Sequence, residues 1–388
     1  MSCVLTIKGR IACCIYELSS FGLDQKRGIL SSQGQTISQL RLVLSLNFGG
    51  TKLYFTGFFL YTDLFMRIGL IVGNGISLSF REYAGNSLSD WNTNFPLSWN
   101  IPTPNQPEKL LLENLPKFRD ALEQIPKLPY VNDFPLFRLL YEAAKKRAPN
   151  NNNGIILDDA MIEARHYLVN AFSRFQVIAN QVDPSNWSWI KWLSHHRNCI
   201  VGATSFNYDL ILETAMRKIE LPYHRFLVNE KLEGVTVLKP HGSIDFAFPN
   251  IRAADDDKTL APNCYPLPIY CENCDFPATL MPIEDILKPR LVSNIVLPIE
   301  ASQYTRLAWI RNGFDWWKNN APSMTHVVVA GLSYQPCDRS EIDWLLSQVP
   351  RTASGVLVNE KPNEELLSFM RNRFVNVDIH GREPQNLF

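Results

Sequence analysis

Short apolar runs rich in valine and isoleucine recur along the chain, and several of them are followed by an amphipathic segment. Each run has the length of a buried strand and ends in small or polar residues. The runs are RIGLIVG, NCIVGATS, VTVLK, MTHVVVA, SGVLV and VNVDIH, and three of the segments between them are LILETAMRKI, SEIDWLLSQV and NEELLSFMRNRF. This alternation predicts an α/β fold, a Rossmann-like parallel sheet with helices on both faces.

A long helical block separates the first run from the second. Apolar residues three and four positions apart continue through KLLLENLPKFRDALEQI, FPLFRLLYEAAKKR and LDDAMIEARHYLVNAFSRFQVIANQV. We therefore predict a helical insertion after the first strand, over about residues 105–197. We expect Trp187, Trp189 and Trp192 of this block in the core, with a ligand platform as the alternative.

The composition narrows the classes of function. The chain has 388 residues, of which 46% are apolar and 20% charged, and its formal net charge is zero. Such a chain can bury a full core, and nucleic acid is not indicated as a partner. Asp63 and Arg67 interrupt the most apolar stretch, so we expect no membrane span.

Residues 1–65 differ in composition from the rest. They contain none of the 25 prolines but three of the eight cysteines, and Met66 directly precedes the first run. We favour the hypothesis that the functional chain starts at Met66 and that residues 1–65 are a mis-assigned start. The alternative is a small accessory segment. In either case the predicted ligand-binding domain spans residues 66–388.

Small or polar residues follow five of the runs. Ligands of open parallel sheets bind beyond the carboxyl ends of the strands, so these residues are candidates for one nucleotide-sized site. The candidates are Gly73, Asn74, Gly75 and Ser77 after the first run, Ser205, Asn207 and Asp209 after the second, His241, Gly242 and Ser243 after the third, Gly331 and Ser333 after the fourth, and Asn359 and Glu360 after the fifth.

Each of these signals has a structural alternative. The turn from Gly73 to Gly75 suits a pyrophosphate at a helix N-terminus, or is a tight turn into a helix. Asp209 is either a site residue or the cap of the following helix. His241 is either a general base or a core histidine, and the glycine after it favours close approach by a ligand or by another backbone.

The cysteines do not form a regular framework, which favours reduced thiols in the cytoplasm. Cys264, Cys271 and Cys274 lie shortly after His241. Structural zinc takes four ligands, and no fourth Cys or His lies nearby in the sequence. We therefore predict no metal site.

Taken in order, the strand-end motifs resemble those of the sirtuin family over about residues 66–388. Gly73, Gly75, Ile76 and Ser77 resemble its glycine-rich loop, Ser205-Phe206-Asn207-Tyr208-Asp209 its T-Q-N-x-D, His241-Gly242 its catalytic His-Gly, VVVAGLSY its G-T-S strand, and VLVNE its ribose-contacting Asn strand. The resemblance implies NAD+ as the ligand.

The chain departs from the protein deacylases of that family in three ways. Phe206 replaces the Gln of T-Q-N-x-D, no P-D-F-R follows the glycine loop, and the paired CxxC modules are incomplete. With its N-Y-D and its helical insertion, the chain resembles the prokaryotic sirtuin-like branch, many of whose members are implicated in antiphage defence and consume NAD+.

This resemblance implies an NAD+ glycohydrolase that releases nicotinamide and ADP-ribose. Its control is expected to come from self-assembly into a homo-oligomer or from a partner protein such as an ATPase. Two alternatives stay open. One is an NAD-dependent protein deacylase or ADP-ribosyltransferase, and the other is a non-catalytic module that senses NAD+ or ADP-ribose.

The resemblance also implies a role for each candidate. Asn207, Asp209 and His241 are the expected catalytic residues: Asn207 toward the nicotinamide ribose or the attacking water, Asp209 toward the carboxamide, and His241 as the base. The expected cofactor-binding residues are Gly73, Asn74, Gly75, Ile76 and Ser77 around the pyrophosphate, Ser205 and Tyr208 beside Asn207, Gly331 after the fourth strand, and Ser333, Asn359 and Glu360 on the adenosine half.

The hypothesis about residues 1–65 is testable on the native protein. We expect mass analysis of its N-terminus to find a chain that begins near Met66, because the composition changes there. An N-terminus near residue 1 would contradict this hypothesis and favour the accessory segment.

Overall fold

The computed structural model describes residues 66–85, 102–103, 106–125, 133–147, 159–228, 230–247, 278–287, 295–297 and 307–384, together with the backbone of four strands before residue 61. The chain divides into two compact units, Met1–Phe65 and Met66–Phe388. In the first unit, β1 (Ser2–Ile7) pairs antiparallel with β2 (Arg10–Ile15), and β3 (Gln39–Phe48) pairs antiparallel with β4 (Thr51–Leu60).

The second unit contains the predicted alternation of strands and helices. Its elements in chain order are β5 (Ile68–Val72), α1 (Asn74–Ala84), β6 (Pro102–Thr103), β7 (Gln106–Leu110), α2 (Pro116–Gln124), α3 (Asp133–Arg147), α4 (Asp159–Ala179), α5 (Ser188–His195), β8 (Ile200–Ser205), α6 (Ile211–Lys218), β9 (Tyr223–His224), β10 (Val235–Leu238), β11 (Phe246–Ala247), β12 (Thr279–Leu280), α7 (Ala308–Asn320), β13 (His326–Ala330), α8 (Arg339–Gln348), β14 (Ser354–Val358), α9 (Glu364–Arg373) and β15 (Asn376–His380).

Seven of these strands form one parallel sheet in the order β15-β14-β13-β5-β8-β10-β9. The register aligns the carboxyl ends of the central strands. Val72 lies opposite Ser205 on one side and Ala330 on the other, and Ala330 lies opposite Val358. The predicted Rossmann-like α/β fold is thereby confirmed.

Helices cover both faces of the sheet. Successive strand residues point to opposite faces, and each face is apolar and packs against its own set of helices. Leu70 and Val72 share a core with residues of α1, α5 and α6, including Ile76 and Trp189. Ile71 belongs to the opposite core, which contains residues of α7, α8 and α9. Trp187, Trp189 and Trp192 are all buried, in agreement with the core interpretation.

The block between β5 and β8 builds a second core from α2, α3 and α4, and Tyr208 and Ile244 from outside the block also belong to it. The segment KLLLENLPKFRDALEQI is not one helix: β7 gives way to a 3₁₀ turn at Leu111–Asn114, and α2 starts at Pro116. Proline lacks an N–H and has a fixed φ, so it favours the first position of a helix. Helix α4 contributes residues to this second core and, at its C-terminal end, to the sheet core.

Among the described residues, no helix is both long enough and apolar enough to cross a membrane.

A buried carboxyl group links α4 to the start of α2. Glu163 accepts a hydrogen bond from the Phe118 backbone N–H at 2.8 Å, and burial raises its pKa from 4.5 to about 7. Because the folded-state pKa lies above the unfolded value, the stability that this group contributes is lost as the pH rises from about 4.5 through 7.

We expect Glu163→Gln to remove that pH dependence. The Gln side chain can still accept the Phe118 bond but carries no charge to desolvate, so the variant should be more stable than the wild type at pH 8, by roughly 1 kcal/mol. Urea unfolding at pH 5 and pH 8 measures the difference. An equal stability gap between variant and wild type at both pH values would contradict the assignment.

Candidate nucleotide site at the carboxyl edge of the sheet

The sheet has its topological switch point at β5. From β5 the chain continues to β8 and β10 on one side, and then returns to β13 on the other side. Ligand sites of open α/β sheets lie outside the carboxyl ends of strands at such a point. The loops after β5, β8, β10 and β13, which carry most of the sequence candidates, therefore meet at one edge.

The glycines after β5 are required by contact with another backbone. A Cβ atom on Gly75 would lie 2.3 Å from the Gly331 Cα atom, and Gly331 itself has a φ of +61°. The Gly75 N–H donates to the Gly331 carbonyl at 2.9 Å, and the Gly73 N–H donates to Ala330 at 2.9 Å. The G-x-G pattern thus serves the packing of two loops, and it leaves the first turn of α1 at the sheet edge.

Asn207 joins the loop after β8 to the start of α1. Its Nδ2 donates to the Gly73 carbonyl at 3.0 Å and to the Ser77 hydroxyl at 3.1 Å. The Ser77 hydroxyl in turn donates to Asp209 Oδ2 at 2.7 Å. All three side chains are buried, so the sequence candidates Ser77, Asn207 and Asp209 form one connected polar cluster.

Asp209 lies one residue before the cap position of α6 and bonds the first N–H of that helix. Its Oδ1 accepts from the Ile211 N–H at 3.1 Å, at the start of α6, while its Oδ2 is held by Ser77. Burial raises the pKa of this carboxyl group, although Lys239 and the hydrogen bonds act in the opposite direction. The capping alternative from the sequence therefore describes its contacts here. Its expected role toward the nicotinamide carboxamide stays a prediction.

A buried ionic cluster, which the sequence motifs did not indicate, lies behind Asp209. Lys239 is fully buried; its Nζ donates to the Asp209 carbonyl at 2.8 Å and lies 3.2 Å from Glu213 Oε1. Arg225 binds Asp245 at 2.8 Å. Although burial acts against it, the Arg225 charge holds the pKa of Asp245 below its usual value. This ionic cluster fixes the segment from Lys239 to Asp245, which contains the His-Gly motif.

His241 lies in that segment and faces the loop after β8. Its Nδ1 is 3.1 Å from the Phe206 carbonyl, and its ring packs edge-on against the Phe206 ring, with the centroids 5.3 Å apart. The opposite ring nitrogen, Nε2, lies 3.4 Å from Asp338 Oδ1. Burial lowers the pKa of His241, but the carboxylates of Asp338 and Glu341 outweigh it and raise that pKa above its usual value.

The remaining candidates after β5 and β8 differ in their surroundings. The Tyr208 hydroxyl donates to the Val296 carbonyl at 2.6 Å. Ser205 is buried at the end of β8, and Ile76 belongs to the core. Asn74 at the start of α1 keeps its Oδ1 buried without a hydrogen-bond partner among the described residues.

The candidates after β13 and β14 form a second group. Asn359 Nδ2 donates to the Leu332 carbonyl at 3.0 Å, which ties the two loops together, and Ser333 is exposed. Glu360 pairs with Arg382, which also pairs with Glu82 of α1. The sequence did not indicate Arg382, because it lies outside every motif.

The metal expectation is not tested by the structure. Cys264, Cys271 and Cys274 lie outside the described residues. Over the ranges that are described, no cluster of three or more His, Cys, Asp or Glu residues could hold a metal ion, and Cys199 and Cys337 are not joined by a disulfide bond.

No protein-family model matches the chain, and no curated protein matches it. Solved structures do resemble it, including the following two. One comes from work on the mechanism and regulation of Sir2 enzymes, with 12% identity, a TM-score of 0.28 and coverage of 82% of this chain and 88% of that chain. The other is a mutant Sir2 homologue in complex with 2'-O-acetyl ADP ribose, with 13% identity, a TM-score of 0.31 and coverage of 80% and 85%.

Likenesses with such low TM-scores carry no argument about this chain. The fold is assigned from the order and direction of its own strands, and the site from its own contacts.

The contact between the two loops predicts a steep cost for a side chain at Gly75. We expect Gly75→Ala to lower the free energy of unfolding by roughly 1–3 kcal/mol, because its methyl group would overlap the Gly331 backbone. Gly381→Ala is the matched control, since nothing lies within 4 Å of a Cβ there. Urea unfolding compares the two variants, and equal stabilities would refute the contact.

Proposed function

We propose that this protein is an NAD+ glycohydrolase, which cleaves the nicotinamide–ribose bond with water as the acceptor. The observation that carries the proposal is the attachment of His241 to the backbone of the N-Y-D segment. Its Nδ1 is bonded to Phe206, the residue before Asn207. The imidazole is therefore held against the segment that carries Asn207, at the carboxyl edge of a parallel sheet, where such folds bind nucleotides.

For this reaction the protein needs mainly to position the dinucleotide and to stabilise the positive charge that develops on the ribose. Departure of neutral nicotinamide leaves an oxocarbenium-like ribose, which a water molecule attacks. With Nδ1 engaged by a carbonyl, Nε2 is the nitrogen of His241 that is left to take a proton. It is buried without a hydrogen-bond partner among the described residues, so the bound ligand would have to bring a ribose hydroxyl or that water to it. His241 is the proposed general base.

Asn207 is the proposed contact to the nicotinamide ribose or to the attacking water. Its Nδ2 is committed to Gly73 and Ser77, and no donor within the described ranges is bonded to its Oδ1. That oxygen can accept a hydrogen bond from a hydroxyl or a water. Asp209 supports this arrangement through Ser77, because the Ser77 hydroxyl contacts both side chains.

The dinucleotide would extend from Asn207 toward β14. The positive dipole end of α1 would face the pyrophosphate, although the N–H groups of Gly73, Gly75 and Ile76 there are already bonded to backbone carbonyls. The exposed Ser333 and the loop that carries Asn359 and Glu360 would contact the adenosine half. This path follows the edge of the sheet across β5, β13 and β14.

A role in prokaryotic antiphage defence follows from the sequence resemblance and is part of the proposal. An unrestrained NAD+ hydrolase would deplete its own cell. Its activity would therefore be held in check by self-assembly or by a partner protein.

The test is NAD+ turnover by the purified full chain, measured as nicotinamide and ADP-ribose. His241→Ala is expected to lower turnover roughly 10²- to 10⁴-fold, because a general base is lost. Asn207→Ala is expected to lower it as well. His195→Ala, at an exposed position at the end of α5, is the matched control and should retain full activity.

Full turnover by both site variants, with folding intact by circular dichroism, would overturn the assignment. Release of nicotinamide only in the presence of an acyl-lysine peptide would favour the deacylase instead. Binding of NAD+ in calorimetry without turnover, also in cell extract that contains the native partners, would favour the sensor.

A further inference from the structure

Asp338 occupies a helix-capping position but does not cap its helix. It precedes α8, and Asp at this position ordinarily accepts a hydrogen bond from an N–H of the first turn. Its side chain makes no such bond. Instead its Oδ1 lies 3.4 Å from His241 Nε2, at ion-pair distance but without hydrogen-bond geometry to any described residue.

A second carboxyl group lies close to this pair. Glu341, one turn further along α8, is 7% exposed, and its Oε2 is buried without a hydrogen-bond partner among the described residues. Burial and the neighbouring Asp338 carboxylate raise the pKa of Glu341 to about 7, although His241 acts in the opposite direction. The start of α8 thus places two acids next to one imidazole.

The other titratable groups around the ring have their own partners. Tyr208, whose ring centroid is 6.0 Å from that of His241, donates its hydroxyl to Val296. Asp209 is held by Ser77, and the Lys239 ammonium is held by Asp209 and Glu213. Burial and Asp338 raise the pKa of the Cys337 thiol, so it stays neutral. Asp338 and Glu341 are therefore the acids that respond to a charge on His241.

We propose that Asp338, supported by Glu341, is the positioning residue for His241 and stabilises the imidazolium that forms when His241 accepts a proton at Nε2. This inference rests on the proposed hydrolase function. In the step concerned, the proton leaves the ribose hydroxyl or water, whose electron pair stays on its oxygen. The proton binds the lone pair of His241 Nε2, and the new positive charge is balanced by the Asp338 carboxylate.

The geometry explains why Nε2 is the nitrogen concerned. Nδ1 faces the Phe206 carbonyl, which accepts only an N–H, so the neutral imidazole carries its hydrogen on Nδ1. The lone pair is then on Nε2. Once Nε2 is protonated, the imidazolium charge lies within 3.4 Å of Asp338 Oδ1, at ion-pair distance. A nearby carboxylate makes His241 a stronger base, at the cost of a larger protonated fraction at neutral pH.

The deciding experiment is a titration of the His241 ring by NMR, in the wild type and in Asp338→Asn. His241→Ala identifies the His241 signal among those of the seven histidines. Asp338→Asn is expected to lower the titration midpoint of His241 by about one pH unit, because an opposite charge is removed. Asp315→Asn on the exposed side of α7 is the matched control and should leave it unchanged.

The same variants are then compared in NAD+ turnover against pH. In Asp338→Asn the acidic limb of the profile should move to lower pH with the titration midpoint. The kcat at high pH should fall roughly 10-fold while KM changes little. Glu341→Gln should move the limb in the same direction by less. A merely structural role for Asp338 would lower activity without moving the limb.

An unchanged His241 midpoint in Asp338→Asn, with the fold intact, would overturn the inference whatever the activity. If the wild type binds NAD+ but does not cleave it, the hydrolase proposal fails, while the titration still decides whether Asp338 controls His241. The two failures are therefore distinguishable.

Discussion

The arrangement of the site depends on the approach of two backbones at the switch point of the sheet. Gly75 and Gly331 lie so close that neither position has room for a side chain. Their contact sets where α1 begins, and the beginning of α1 sets the position of Ser77. Ser77 and the Gly73 carbonyl then hold Asn207, so the orientation of one amide side chain can be traced back to the packing of two glycines.

Much of the sheet could be predicted from the sequence, because its strands are buried on both faces and appear as continuous apolar runs. The runs ending at Val72, Ala330 and Val358 all became central strands of the sheet. One prediction was wrong, and one helix was not predicted at all. The segment before Pro116 adopts a strand and a 3₁₀ turn, and helix α7 was not singled out, since its WIRNGFDWW sequence mixes aromatic, polar and glycine residues. Burial against the sheet, more than local pattern, accounts for α7.

Only those residues of the candidate site that follow a strand end could be predicted from the sequence. Asn207 and His241 could be named as candidates because each lies in a loop just after a strand. Asp338 and Glu341 could not, since an acid at a helix start ordinarily indicates a cap, and their relation to His241 is a matter of tertiary packing. Lys239 is a similar case: nothing in its sequence context indicates that a lysine next to a strand end is fully buried between Asp209 and Glu213.

Helix α4 packs in two cores of the second unit. Its first turns pack in the core of the helical block, its last turns pack under the sheet, and Gln176 near its end holds the Leu210 N–H at the start of α6. A single helix therefore contributes side chains to both cores. Removing the helical block would therefore also remove Phe175 and Ala179 from the core beneath the sheet, and it would leave the Leu210 N–H without its acceptor, Gln176.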